Sequence, residues 1–250
     1  MIICFSTHKG GTGKTTSSIN VAASLALKGF STLLLDMDPQ GHAAPGVGVD
    51  VAYDEPSMAD VLGDRPVALE TIIRETSTLN LSLAPATLRL ASVAESLVTK
   101  FRREDRLKKS LDRLGSTYQW VVIDCPPALG VLTANAVVAA DAVIVPCQMG
   151  ARALDGLGDL LDLVHVLKSD TFENWHILLA MIDARITVTR DIFEEQLIPY
   201  KAKVLDTTIF RTEALNQAQI AKKPIFSFDL QSRGAQNYAA LTQELLTLYS

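Results

Sequence analysis

The sequence predicts an α/β fold, a mostly parallel twisted sheet with helices on both faces. Three observations carry this expectation. Short apolar runs alternate with longer segments of helical period along most of the chain. A glycine-rich stretch, CFSTHKGGTGKTTS at Cys4–Ser17, joins the first apolar run to the first helical segment. Two further apolar runs end in aspartate, at Asp36 and Asp124, and ligands of open α/β sheets gather where strands end.

The first run, Met1–Phe5, reads as a buried strand, and Ile19, Ala22, Ala23 and Ala26 give Thr16–Lys28 a helical period closed by Gly29. The loop between them matches the end of the phosphate-loop pattern G-x-x-x-x-G-K-[ST] at Gly13, Lys14 and Thr15. Its first glycine position is His8, followed by Lys9, so this is a deviant loop with two lysines. Gly10, Gly11 and Gly13 remove side chains that would keep backbone N–H groups from converging on phosphate oxygens. The helix start adds its positive end. Lys14 is placed to bridge the β- and γ-phosphates, and the Thr15 hydroxyl to hold Mg²⁺. Thr12 and Thr16 complete the predicted nucleotide-binding set. A plain glycine turn with a solvated Lys14 is the alternative, and the strand–loop–helix setting weighs against it.

Thr32–Leu35 is the second buried strand and delivers Asp36-Met37-Asp38-Pro39-Gln40-Gly41 to its end. The two aspartates are candidates for metal or water contact; as a mere turn starter, Asp-Pro would mean less. Short helices are expected at Ser57–Leu62 and Val67–Glu75, and Leu79–Leu83 alternates like a strand. Ala91–Leu114 reads as helical and carries Lys100, Arg102, Arg103, Arg106, Lys108, Lys109 and Arg113, diluted by Glu104, Asp105 and Asp112. Such a run reads as a solvated helix face, with a partner- or DNA-facing role as the alternative. Trp120–Cys125 is a buried strand whose Asp124 is placed to bind Mg²⁺ opposite Lys14 and Thr15. Helices follow at Leu132–Ala140, Leu154–Leu167, Ile192–Ile198, Glu213–Ala221 and Gln236–Tyr249. Strands are expected at Ala142–Pro146, Ile177–Ile182 and Val204–Ile209.

With 250 residues, 48% of them hydrophobic, the chain can bury one sizeable core, and a single domain over 1–250 is expected. The net charge of −5 offers no global attraction to nucleic acid or anionic membrane, so either partner needs a local basic patch. Cys4, Cys125 and Cys147 lie far apart in apolar runs and read as reduced thiols of a cytoplasmic protein. There is no CxxC pair, and the four histidines have no ligand spacing, which argues against a structural metal or iron–sulfur site in one chain. No leader pattern and no run of roughly 20 apolar residues is evident.

KGGTGKTT at Lys9–Thr16 resembles the deviant Walker A loop of the ParA/MinD family of ATPases. The resemblance continues through LLLDMDPQG, similar to that family's first switch, and VVIDCPPALG, similar to its second. It runs on through ALDGL at Ala153–Leu157, KPIFSFD at Lys223–Asp229 and SRGAQNY at Ser232–Tyr238, and so covers nearly the whole chain. It implies a phosphate-loop NTPase fold using ATP and Mg²⁺, with catalytic roles for Lys9, Lys14 and Asp38. In it Lys9 reaches the partner's nucleotide across a sandwich homodimer, Asp38 positions the attacking water, and Asp36 is its neighbour on the metal side. The adenine-contacting IPRN of relatives falls on Ile209-Phe210-Arg211-Thr212, making Phe210 and Arg211 candidates for the base pocket. Arg185, in MIDAR, matches a DNA-contacting arginine, and Arg211, Lys222, Lys223 and Arg233 are candidates to join it. A family arginine after IPRN falls on Ala214, and Gly150-Ala151-Arg152 replaces an acidic-aromatic stretch.

The expected function is therefore a slow ATPase that dimerises on ATP and binds duplex DNA nonspecifically on the nucleoid. A ParB-like or other adaptor would stimulate it, and the cargo would be DNA or another large assembly. A MinD-like membrane ATPase is the first alternative. The last stretch, Leu241–Ser250, has Glu244 and no lysine or arginine, unlike a basic membrane-binding helix. A metabolic phosphate-loop enzyme is the second.

Overall fold

The computed structural model describes residues 1–149, 154, 156–183 and 195–249. Its eight strands are β1 (Ile2–Phe5), β2 (Thr32–Asp36), β3 (Arg74–Glu75), β4 (Leu81–Ala84), β5 (Trp120–Asp124), β6 (Ala142–Cys147), β7 (Trp175–Ile182) and β8 (Val204–Phe210). They form one sheet in the order β3-β4-β2-β5-β1-β6-β7-β8. Only the β3–β4 pair is antiparallel; the other pairs run parallel. Every residue of β2, β5 and β6 is buried, as expected of parallel strands covered on both faces.

The side-chain period of two divides the core between those faces. Leu33, Leu35, Ile123 and Val143 point into one apolar cluster, completed by α3 (Met58–Leu62), α5 (Arg106–Leu114), α6 (Val131–Ala139) and α7 (Leu157–Leu167). Ile3, Phe5, Leu34, Val122 and Ile144 point into the other. There the sheet meets α1 (Lys14–Leu27) and the C-terminal helix α10 (Arg233–Tyr249). The chain also forms α2 (Ala43–Gly46), α4 (Arg89–Leu97), α8 (Glu213–Ile220) and α9 (Ile225–Phe228).

Most expected elements sit within one to three residues of their predicted ends, and two differ in kind. Val67–Glu75 is no helix: a single 3₁₀ turn at Leu69–Thr71 leads into β3, which pairs with β4. The β-branched run Thr71-Ile72-Ile73 opposes a helix there, and the sheet edge supplies strand partners. Ala91–Leu114 is not one helix but two, α4 and α5, with Arg102 between them in the left-handed region at φ 52°. Buried Asn135 stabilises that break by accepting from the Leu107 N–H and donating to the Arg103 carbonyl. The expected Leu154–Leu167 helix begins at Leu157, after Gly156 at φ 79°. The expected Ile192–Ile198 helix falls partly outside the described residues; residues 195–197 are helical, and a 3₁₀ stretch covers Ile198–Lys203. All three cysteines are free and buried.

Asn20 fastens the first helix to the C-terminal third. Its side-chain oxygen accepts from the Ile225 N–H at 2.8 Å, and its amide donates to the Thr16 carbonyl at 2.8 Å. Asn20→Ala would leave the Ile225 N–H buried without a partner, a loss of about 1–3 kcal/mol. Urea denaturation should show a lower midpoint with an unchanged slope.

Candidate nucleotide site

The loop between β1 and α1 takes its shape from positions that only glycine occupies easily. Gly11 and Gly13 have φ of 74° and 88°, and Gly13 is the residue from which α1 starts. A Cβ on Gly13 would stand 3.2 Å from Cγ of Met181, so the loop also packs close against β7. Lys14 opens the helix and is only 6% exposed; its Nζ donates to the Lys9 carbonyl at 2.7 Å, curling the loop over the helix end. Burial pushes the Lys14 pKa down, while the charge of Asp124 pulls it back up.

Two carboxylates face this loop from neighbouring strands. Asp36 and Asp124 end β2 and β5 in register, and neither is exposed. Asp36 accepts from the N–H of Asp38 at 2.9 Å and of Ala43 at 3.1 Å, so it holds both ends of the loop that carries Asp38. Burial, and then the charge of Asp124, push the Asp36 pKa well above the usual carboxylate range. Asp124 accepts from the Ser18 hydroxyl at 3.1 Å. Burial raises its pKa to about 7, against hydrogen bonds from Thr15 and Ser18 that lower it. Its second oxygen, Oδ2, is buried with no hydrogen-bond partner. Asp38 is 9% exposed and accepts from the Gln40 N–H at 3.0 Å. Gly41 completes the bend at φ 66°, where a Cβ would meet the Ala86 carbonyl oxygen at 2.9 Å.

One cavity of about 390 Å³ opens at this loop, and the fully buried Asp36 and Asp124 are not among its lining residues. Gly10, Gly11, Gly13, Lys14, Thr15, Thr16 and Asp38 line it, so one concave site collects most of the predicted set. Lys9 is partly exposed beside it, and Thr12 is buried with an unpartnered hydroxyl. The orphan oxygen of Asp124 and the Thr15 hydroxyl suit a divalent cation that takes a few protein oxygens and completes its shell with phosphate and water.

Phe210 and Arg211 are not among the lining residues. Phe210 ends β8 beneath the Arg233 guanidinium, 3.7 Å from the ring centroid, and the Arg211 side chain is exposed. Lys222 pairs with Asp50 at 2.9 Å, and Lys223 is exposed. Arg185 lies outside the described residues.

Sequence reasoning missed several lining residues: Gln40, His42, Pro127, Met181 and Gln219. Gln219 donates to the Thr16 hydroxyl at 2.6 Å across 203 residues of chain, and nothing local marks it. Met181 sits at φ 57° within β7, where the β7–β8 register shifts, and only the tertiary packing reveals it. Ser18 had a legible signal, since it lies four residues after Lys14, on the same helix face.

Comparison with known proteins places the chain among close relatives. The AAA domain model matches residues 1–177. The chain is 40% identical over 247 residues to sporulation initiation inhibitor protein Soj of Bacillus subtilis, covering 98% of this chain and 97% of Soj. It is 39% identical over 249 residues to chromosome partitioning protein ParA of Myxococcus xanthus, covering 98% and 87% of the two chains. A putative plasmid partition protein of Borrelia burgdorferi bound to AMPPNP superposes with a TM-score of 0.84 at 26% identity, over 99% of this chain and 98% of that one. Cobyrinic acid a,c-diamide synthase of Mycobacterium smegmatis, with a bound ATP analogue and magnesium, superposes with a TM-score of 0.83 at 31% identity, over 99% and 95%.

The buried carboxylates make stability depend on pH. With its pKa raised to about 7, folded Asp124 keeps a proton that the unfolded chain gives up near pH 4. The stabilisation is therefore present at low pH, declines as pH rises through that window, and is gone above it; Asp36 acts in the same direction. Denaturation of the nucleotide-free protein in chelator should show stability falling from pH 5 to pH 8. Asp124→Asn should flatten the profile and be the more stable protein at pH 8.

Proposed function

This chain belongs to the ParA/Soj family of partitioning ATPases, and from that premise we propose that it is an ATP-driven dimerising switch. In this reading the ATP-bound dimer binds duplex DNA without sequence preference, and hydrolysis releases it. The observation that supports it best is the convergence of Lys14, Thr15 and Asp38 on one cavity at the start of α1, with Asp124 buried against Ser18 of the same helix.

ATP and Mg²⁺ are the cofactors, and bound Mg²⁺ supplies positive charge against the β- and γ-phosphate oxygens. The backbone of Gly10–Gly13 and the N-terminal end of α1 bind phosphate. Thr16, with Gln219 on its hydroxyl, steadies the first helical turn. Lys14 neutralises phosphate charge; its lowered pKa in the nucleotide-free protein reflects a desolvated cation lacking a full partner. Thr15 and Asp124 hold the cation, with Asp36 beside them keeping the Asp38 loop in place. Asp38 orients the water that attacks the γ-phosphate. Phe210 and Arg211 remain our candidates for the outer wall at the base end of the nucleotide.

Lys9 is assigned to the partner chain's nucleotide. A cation crossing the interface offsets the repulsion between two bound nucleotides and couples ATP to assembly. An adaptor protein then accelerates the slow hydrolysis and ends the DNA-bound state. Arg185, Arg211, Lys222, Lys223 and Arg233 form the expected DNA-facing set, and pairing two chains makes two weak contacts one bivalent grip. A membrane-anchoring role for the C-terminal helix draws less support, because Leu241 and Leu245 of α10 are fully buried. A metabolite-dependent ligase would differ by showing ATP turnover that needs a small acid rather than DNA and an adaptor.

Asp38→Ala separates binding from chemistry. It should still bind ATP and dimerise, while hydrolysis falls about 10²-fold or more for want of an oriented water. Single-turnover assays at the wild-type rate would remove Asp38 from the mechanism.

Lys9→Ala should bind ATP with near-normal affinity and stay monomeric by light scattering. A stable ATP-dependent dimer in this variant would count against the sandwich arrangement.

A further inference from the structure

We infer that the cationic row on α5 contacts the phosphate backbone of duplex DNA, an inference that rests on the DNA binding proposed above. Arg106, Lys109 and Arg113 are three and four residues apart, so they share one helix face, and Arg102 joins them from the preceding turn. All four line a single groove of about 340 Å³, with Phe101 beside them. Between residues 100 and 113 the chain places seven lysines and arginines against three acids, although its net charge is −5. This stretch is a local exception to an acidic molecule.

Neutralisation of the row is incomplete. Arg102 and Lys109 share one carboxylate, Asp105. Asp64, which lines the groove, pairs with Lys100 and also feels the charge of Arg106. Arg106 donates to the carbonyls of Leu62 and Gly63, which bear no charge. Arg113 has no ion pair or hydrogen bond among the described residues. At the C-terminal end Lys222 is matched by Asp50 and Arg233 lies over Phe210, while Arg211 and Lys223 are exposed.

The row also has the right dimensions and stiffness. From Arg106 to Arg113 it extends about 10 Å along the helix axis, and duplex DNA presents one charge per roughly 1.7 Å. Several phosphates therefore lie within reach. Asn135 clamps the row's first turn through Arg103 and Leu107, so little ordering accompanies binding. Phe101, 91% exposed at the end of the row, can lie against sugar or base edges where a groove passes. An ATP dimer would carry two such rows.

The test is anisotropy of a labelled mixed-sequence duplex with protein loaded with AMPPNP and Mg²⁺. The parent is compared with Lys109→Glu/Arg113→Glu and with the charge-keeping Lys109→Arg/Arg113→Lys. A milder Lys109→Gln/Arg113→Gln guards against misfolding of the reversal. None of these positions lines the nucleotide cavity, so basal ATP turnover should be unchanged. We expect the reversal to weaken binding at least ~10-fold at low salt, and the slope of log affinity against log salt to become shallower by about one per contact removed. The glutamine pair should shift both in the same direction, and the charge-keeping pair should match the parent. If the parent binds duplex and the reversal leaves affinity and slope unchanged, the row is a solvated face and the inference falls while the DNA reading stands. If the loaded parent binds no duplex at low salt, the DNA reading itself fails and the inference with it. Loss of binding to phosphatidylglycerol vesicles without loss on duplex would overturn the inference by assigning the row to a lipid surface.

Discussion

Asp36 and Asp124 stand in register at the ends of adjacent strands, both fully buried. Burial disfavours the charge on each, and their proximity disfavours it further. Much of the surrounding structure supplies donors to this pair. Asp36 takes the amides of Asp38 and Ala43, which sets the path of the loop after β2. Asp124 takes hydroxyls from the first turns of α1 and faces the Lys14 cation. One oxygen is left over, and a divalent cation is the partner that would remove the remaining imbalance. The same electrostatic tension thus fixes a loop, orients a helix and creates demand for the metal.

Sheet order brings these groups together. β1 sits between β5 and β6, and β2 lies beyond β5, so the connection through α1 passes over β5. Ser18 can therefore reach Asp124 across 106 residues of sequence. The close approach of Gly13 to Met181 ties the other side of the loop to β7. A phosphate loop held from both sides has little freedom to collapse when its ligand leaves.

Polar side chains fasten the outer elements to this centre. Asn20 joins α1 to α9, Gln219 joins α8 to Thr16, and Ser17 shares a hydrogen bond with the Tyr238 hydroxyl of α10. Asn135 does the same on the opposite face, joining α6 to the turn before α5. The buried partners among them, Asn20, Ser17, Thr16 and Asn135, are costly to leave unpaired, so they favour one arrangement of their neighbours. α6 follows directly on the segment after Asp124, so the basic turn is connected to the nucleotide end of the sheet through packed structure.

The sequence alone determined the features whose cause is local. Continuous apolar runs specify buried parallel strands, the glycines of the phosphate loop specify left-handed turns, and terminal aspartates mark the ligand edge. It also singled out Lys14, Thr15 and Asp38, which line one cavity, and Asp124, which Ser18 ties to the same helix. The tertiary structure decided what depends on partners far away in the chain. Val67–Glu75 became a turn and strand because β4 offered an edge. Ala91–Leu114 broke in two because Asn135, from another helix, satisfies the backbone at the break. Gln219 and Met181 joined the cavity through packing between elements that no local pattern connects. Periodicity encodes which face of an element is buried, but not which polar group on another element will meet it; that follows only once the sheet order has brought the two together.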